Sequence, residues 1–228
     1  SYFLSRFWNI IPDNRVYSSK LDLSSANFGY SVADEAKNLE HIDGLKKKLP
    51  KYHLWLDREI ELRKNKYPIP SQIKFSILTT VYERTNKEFL KKLADSIINQ
   101  TFKPEWVIVA HGKLPKSLVN FITENNKIWD AKIFWVKQSL GIMRAMRKAF
   151  DNSNGDYIVP VDADDLLTPD AIQILASEAL RNKKPEMLFS DEDMLINELP
   201  TSPYLKSSFD PVLNLDSSYI WHLVAIKR

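Results

Sequence analysis

A chain of 228 residues with 44% hydrophobic and 27% charged side chains can bury one substantial core and falls outside the disordered class. Its 32 basic and 29 acidic residues leave a net charge of only +3, too little for a polyelectrolyte binder, so nucleic acid is not the expected partner. The absence of cysteine excludes disulfides, thiolate zinc sites and a cysteine nucleophile, and the four histidines (His41, His53, His111, His222) are too scattered for a zinc cluster by spacing.

No stretch approaches the roughly 20 apolar residues that span a bilayer, and "SYFLSRFWNIIP" is too short and too interrupted by polar groups for a signal peptide. The chain begins without Met and its last residues, "YIWHLVAIKR", read as a strand that runs to the final position. Both ends are expected to be cuts in a longer protein.

Residues 1–72 are polar and rich in Ser and Asn at first, then charged. Leu54, Trp55, Ile60 and Leu62 follow a loosely helical pattern, and Pro68 and Pro70 then force an extended linker, so this part is expected to be a helical appendage. The Lys46 to Lys48 run reads as a solvated face.

Over residues 73–228 strands and helices alternate. "KFSILTTV" is a strand by its β-branched run, and "NKEFLKKLADSIINQ" places Phe89, Leu90, Leu93, Ile97 and Ile98 on one helical face. "EWVIVA", "AKIFWV", "DYIVPV" and "EMLFS" are further strands; between them "PKSLVNFITENN", "GIMRAMRKAFDNS" and "TPDAIQILASEALRN" are helices. Pro115 opens the first of these, and Thr168 with Pro169 is the expected cap and first position of the last. Strands separated by helices of this length predict an open, mostly parallel α/β sheet flanked by helices, with ligands beyond the carboxyl ends of the strands.

One such end reads "VPVDADDLLTPD". Turn chemistry accounts for one aspartate, not for three packed together. On an extended segment carboxylates two apart project to the same side, so Asp162 and Asp164 are expected to converge on a hard divalent cation, with Asp165 beside them. Mg²⁺ or Mn²⁺ held by few carboxylates usually also binds substrate phosphates, which suggests group transfer from a nucleoside diphosphate. The loop lacks the mid-loop Gly and closing Glu of an EF-hand.

The ordered pieces "SILTTVYER", "LADSIINQTFKPEWVIVAHG", "SLGIMRAMRKAF", "NGDYIVPVDADDLLTPDAI", "LFSDED" and "SPYLKSSFDPVLNLDSSYIWHLVAIKR" resemble family two of the GT-A glycosyltransferases. The likeness is greatest to bacterial enzymes that build O-antigens and other surface polysaccharides, and it covers about residues 72 to 228. It implies a GT-A fold and an inverting, metal-dependent transfer from a nucleotide-sugar donor to a glycan or lipid-linked acceptor, with Mn²⁺ or Mg²⁺ as cofactor. It also implies a cytoplasmic setting with peripheral association at the inner face of the membrane.

Carried over, the resemblance makes Thr79, Val81, Tyr82 and Glu83 the loop that holds the nucleoside, and Gly141 the glycine opening the helix behind the diphosphate. Asp162 matches a ribose or metal contact, followed by Ala163, with Asp164 and Asp165 at the metal-binding end of the motif. Ser190 to Asp193 matches the floor of the donor and acceptor cleft, with Asp191, Glu192 and Asp193 as its acidic run. Tyr219 and His222 match the strand that follows.

Set beside this likeness, Glu83 also reads as a surface carboxylate, the acidic run as a solvated loop, and His222 as a hydrogen-bonded, half-buried histidine. Arg144 and Arg147, three apart on one helix face, either bind diphosphate or are simply exposed. Ala110 and His111 stand where the family carries an acidic pair against the base, so uracil recognition is not implied and His111 either stacks on a base or marks a degenerate site, and Arg147 replaces a family asparagine. Inverting transfer needs a general base. In the family that residue lies beyond the "SYIWHLVAIKR" strand, which leaves Asp191 or Asp193 as a weak substitute and implies a fragment that binds nucleotide and metal but transfers sugar slowly or not at all. Two other enzyme readings, a haloacid dehalogenase type phosphatase (disfavoured by Leu166) and a nucleotidyltransferase, and one non-catalytic reading, a degenerate binding module, complete the alternatives.

Overall fold

The computed structural model describes residues 52, 56, 59, 60, 62, 63, 66, 67, 72–196, 198–206, 208–217, 219, 220 and 222–228. They fall into two compact units: Ser1–Arg63 with Asp191–Ser217, and Lys64–Ser190 with Ser218–Arg228. The boundary expected at residue 72 lies close to the one at 63, but Asp191–Ser217, expected in the larger domain, groups with the first unit. The physical reason is pairing: its two strands bond to each other and not to the main sheet. Most of the expected appendage, with Lys46 to Lys48, Leu54 and Trp55, lies outside the described residues; Ile60 and Leu62 are helical and exposed.

In chain order the elements are β1 (Phe75–Val81), α1 (Lys87–Ile98), β2 (Glu105–His111), α2 (Lys116–Trp129), β3 (Lys132–Val136), α3 (Ile142–Asp151), β4 (Tyr157–Pro160), α4 (Ala171–Arg181), β5 (Met187–Phe189), β6 (Glu192–Ile196), β7 (Leu199–Tyr204), α5 (Pro211–Asp216) and β8 (Val224–Lys227). The main sheet has the order β3-β2-β1-β4-β8-β5. The first four of these strands pair in parallel, as alternating strands and helices require, whereas β8 runs antiparallel to β4 and to β5. The "YIWHLVAIKR" run, expected as one strand, is extended sheet only over β8. No helix among the described residues is long and apolar enough to cross a membrane.

Period-two alternation divides the core between the two faces of the sheet. Phe75, Ile77, Trp106, Ile108, Tyr157 and Val159 pack with residues of α1, α2 and α4, while Leu78, Val107, Val109 and Ile158 pack with Ala145 and Ala149 of α3. Helices therefore cover both faces, which is why every residue of β1 is buried. In α1 the buried stripe is Leu90, Leu93, Ala94 and Ile97; Phe89 lies off it and is exposed. Asn86 caps this helix, its side-chain oxygen accepting from the Glu88 amide at 2.8 Å.

Helix α4 begins later than expected. Thr168 and Pro169 form a turn before it, closed by the Ala171 N–H on the Thr168 carbonyl at 3.0 Å. The cap comes from elsewhere: the buried Gln100 side chain accepts from the Ile172 amide at 3.1 Å and donates to the Thr168 carbonyl at 2.7 Å. A residue just past the end of α1 thus satisfies one of the orphan donors of α4.

Beneath the amino ends of the strands, Glu105 accepts hydrogen bonds from Ser76 Oγ, Lys132 Nζ and the Asn154 backbone amide, the last at 2.7 Å. Ser76 Oγ in turn accepts from the Gly155 amide at 2.8 Å. That approach is close enough to demand glycine, since a Cβ on Gly155 would sit 2.5 Å from the Ser76 nitrogen. Burial alone would push the Glu105 carboxyl up, but hydrogen bonds from Lys132, Ser76 and Asn154 outweigh it and hold the group below its ordinary 4.5. A carboxyl depressed by folding contributes stability that is fully present above the unfolded value and is lost as pH falls through the folded one. Glu105→Gln is therefore expected to lower the unfolding free energy by about 1–3 kcal/mol at neutral pH. In urea titrations at a series of pH values, the gap to the wild type should close as the pH drops below 4.5.

Candidate functional site

After β3 the chain crosses back through α3 to β4, on the other side of β1, so the strand order reverses between β1 and β4. In open α/β sheets the crevice at such a switch point is where ligands sit. A cavity of about 360 Å³ lies at the carboxyl ends of β1 and β2, lined by Thr80, Tyr82, Glu83, His111, Gly112, Ser139, Gly141 and Ile142. Alternation along the strands decides which of the expected residues reach it. Val81 is buried in the core, and the buried Thr79 accepts from the Trp106 indole N–H at 3.1 Å, so neither lines the cavity. Thr80, one position between them, does.

His111 ends β2 and is 6% exposed. Its Nδ1 accepts a hydrogen bond from the Leu140 amide at 3.3 Å, and burial holds its pKa below the ordinary histidine value, so the ring is neutral at pH 7. The Tyr82 ring is within 19° of parallel to it, with centroids 6.5 Å apart. Gly141 opens α3 at φ 70° and ψ 162°, a region that only glycine enters readily. Arg144 is exposed in the first turn of that helix. Arg147 is exposed as well, its guanidinium 2.9 Å from the Asp151 carboxylate and 5.6 Å from the Phe150 ring centroid.

The aspartate segment beyond β4 is a turn and not the extended run expected: the Asp165 N–H donates to the Asp162 carbonyl at 3.2 Å. This changes which side chains meet. Ligand atoms of Asp162, Asp165 and His222 lie within 4.8 Å of one another, all three side chains half-buried, while Asp164 is exposed and outside the group. The His222 Nδ1 stands 3.2 Å from an Asp165 carboxylate oxygen. Burial pushes the Asp165 carboxyl up, Asp162 and Asp164 add to the rise, and His222 opposes it. Across a six-coordinate magnesium-sized ion opposite ligands stand about 4 Å apart, so a small side-chain adjustment closes this group on one divalent cation. The expected pairing of Asp162 with Asp164 holds only for extended backbone, which this turn is not. Asp165 and His222 were both singled out, but nothing in their separation along the chain signalled that they meet.

The acidic run after β5 belongs to the first unit and is bonded within it. Asp191 accepts from the Lys206 amide at 2.7 Å, Glu192 lies 3.6 Å from the buried Lys206 ammonium, and Asp193 accepts from the Tyr52 hydroxyl at 2.6 Å. The Tyr52 hydroxyl is pushed up, by burial first and then by that bond to Asp193. Tyr219 is buried, its ring edge-on to Phe189 with centroids 6.1 Å apart.

An open, doubly wound sheet with a cavity and a carboxylate–imidazole group at its strand ends defines an α/β ligand-binding domain. Residues 76–185 match the family described as glycosyl transferase family 2. The chain is similar to the O-antigen biosynthesis protein RfbC of Myxococcus xanthus, with 24% identity over 156 residues, 67% of this chain and 12% of that protein. It is also similar to the UDP-Gal:alpha-D-GlcNAc-diphosphoundecaprenol beta-1,3-galactosyltransferase of Escherichia coli, with 24% identity over 118 residues, 51% of this chain and 43% of the other. Among solved structures, S. aureus TarS 1-349 in complex with UDP-GlcNAc aligns with a TM-score of 0.48 and 18% identity over 57% of this chain and 37% of that one. The chain thus spans less than half the length of each of these relatives.

At Gly141 the backbone angles, and not lack of space, call for glycine, because a Cβ there would meet nothing within 4 Å. Gly141→Ala is expected to cost about 1–3 kcal/mol of stability. Gly141→Asn should bring no rescue, since asparagine tolerates the left-handed helical region but not this one. Denaturant unfolding of both variants measures it.

Proposed function

We propose that this chain binds the donor for an inverting, metal-dependent transfer of sugar from a nucleoside diphosphate to a glycan or lipid-linked acceptor in bacterial surface-polysaccharide synthesis. The observation that carries this reading is the meeting of Asp162, Asp165 and His222 at the carboxyl end of β4, in the same unit as the cavity at β1 and β2. The match of residues 76–185 to glycosyl transferase family 2 supports the class of reaction, and the relatives named for O-antigen synthesis and for galactosyl transfer to a lipid-linked acceptor support the class of product.

In this reading the nucleoside occupies the cavity, with its base laid on Tyr82 and its edge toward His111. Asp162, Asp165 and His222 hold Mn²⁺ or Mg²⁺, with Asp164 at the outer edge of the same turn. When bound, that ion neutralises charge developing on the departing diphosphate, a stabilisation that reaches several kcal/mol. The acceptor hydroxyl oxygen attacks the anomeric carbon from the side opposite the diphosphate while a general base takes its proton. Asp191, the weak substitute for that base expected from the sequence, belongs to the first unit, where it accepts from the Lys206 amide.

Isothermal titration of the protein with UDP, GDP and dTDP, with Mn²⁺ and with EDTA in its place, tests the proposal. At least one nucleotide should bind about tenfold or more tightly with Mn²⁺, a difference of about 1.4 kcal/mol. Asp162→Asn and Asp165→Asn should each abolish that difference while leaving the EDTA affinity unchanged. A nucleotide affinity indifferent to Mn²⁺ in the wild type would refute the metal-dependent reading.

A further inference from the structure

We propose that His111 is a fixed hydrogen-bond donor to the nucleobase, so that the cavity selects bases presenting a ring carbonyl oxygen over those presenting an amino group at the same position. The inference rests on the donor-site reading above and adds to it the chemistry that chooses the base.

The observations concern one ring and its two nitrogens. Nδ1 accepts from the Leu140 amide, so it cannot itself carry a proton. The ring is neutral, because burial disfavours its charged form. Its single proton therefore sits on Nε2, and the protein backbone, not the ligand, sets that tautomer. Among the described residues no hydrogen bond engages Nε2, and no buried side-chain nitrogen or oxygen is left without a partner. Nε2 is therefore accessible, and the cavity is the space that His111 lines.

Geometry then fixes how that proton is offered. The imidazole and the Tyr82 ring are within 19° of parallel. A planar base laid on Tyr82 therefore keeps nearly the tilt of the imidazole, and where its edge comes level with that ring the Nε2–H meets a carbonyl lone pair in line. The residue before His111, Ala110, is 1% exposed and has no polar side-chain atom, so His111 alone speaks for the end of β2. A carboxylate in this place would only accept; a neutral histidine with Nδ1 engaged only donates. Uracil, thymine and guanine answer a donor with a carbonyl oxygen, whereas cytosine and adenine set an amino group against it and leave a buried donor opposed.

The test is a set of Mn²⁺-supported titrations with UDP against CDP, and IDP against ADP, pairs that differ by this exchange of oxygen for amino group and the ring-nitrogen proton that goes with it. In whichever pair binds, the wild type should favour the carbonyl base tenfold or more. His111→Asp, which turns the donor into an acceptor, should erase or invert that preference. His111→Phe, which keeps a flat ring and removes the donor, should bring the two affinities within about threefold by the same arithmetic. Melting curves establish that both variants are folded, and either one alone decides the question. Equal affinity for the two members of a pair in the wild type, or an unchanged ratio in the folded variants, overturns the role of His111. If no nucleotide binds at all, the donor-site reading itself falls, a separate outcome from the loss of preference.

Discussion

Two carboxylates and an imidazole meet where β4 leaves the core, half-buried, with a third carboxylate one residue away. Burial and the neighbouring charges of Asp162 and Asp164 work against the ionised form of Asp165, while His222 and a backbone hydrogen bond at Asp162 work for it. Chains seldom keep such an arrangement for stability, because uncompensated charge in a desolvated place costs free energy. A bound divalent cation would favour the ionised carboxylates and offset their mutual repulsion. The proposed chemistry follows from that compensation, since the ion that reconciles the side chains is also the one that would hold diphosphate oxygens.

The sheet supplies the setting. Four parallel strands aim their carboxyl ends in one direction, and the reversal of order between β1 and β4 opens a crevice that no crossover fills. The amino ends are tied by the Glu105 network, which joins β1 to β2, β3 and the approach to β4 through Ser76, Lys132, Asn154 and Gly155. The carboxyl ends are left to the loops. Fixing one end rigidly is what allows the other to present Thr80, Tyr82 and His111 in constant relation to the start of α3 at Gly141.

The strands β1 to β5 and the helices α1 to α4 were legible in the sequence because each carries enough apolar residues at one period to reveal its own face. Leu90, Leu93 and Ile97 are an example: three positions that can be buried together only on a helix. What stayed hidden depended on partners distant in the chain. Gln100 caps α4 from the end of α1, so the start of that helix could not be read from Thr168 and Pro169 alone. The β6–β7 hairpin and α5 are short and half exposed, with little periodicity to betray them. The site shows the same division. Tyr82, Glu83, His111 and Gly141, expected from their place after strands, line the cavity, whereas Val81 and Thr79 do not, because a motif does not say which of two alternating residues faces the core. The pairing of Asp165 with His222 needed the fold, because β8 reaches the sheet from the far end of the chain.

Pulsed electron paramagnetic resonance of Mn²⁺ bound to the protein together with its nucleotide tests the central claim most directly, because the ion reports the nuclei in its own coordination sphere. The account predicts a nitrogen coupling from the His222 imidazole that disappears in His222→Ala, and a phosphorus coupling from the diphosphate in the same sample. A spectrum with water protons alone, or with phosphorus and no nitrogen, would show the ion held without the imidazole and would contradict the account.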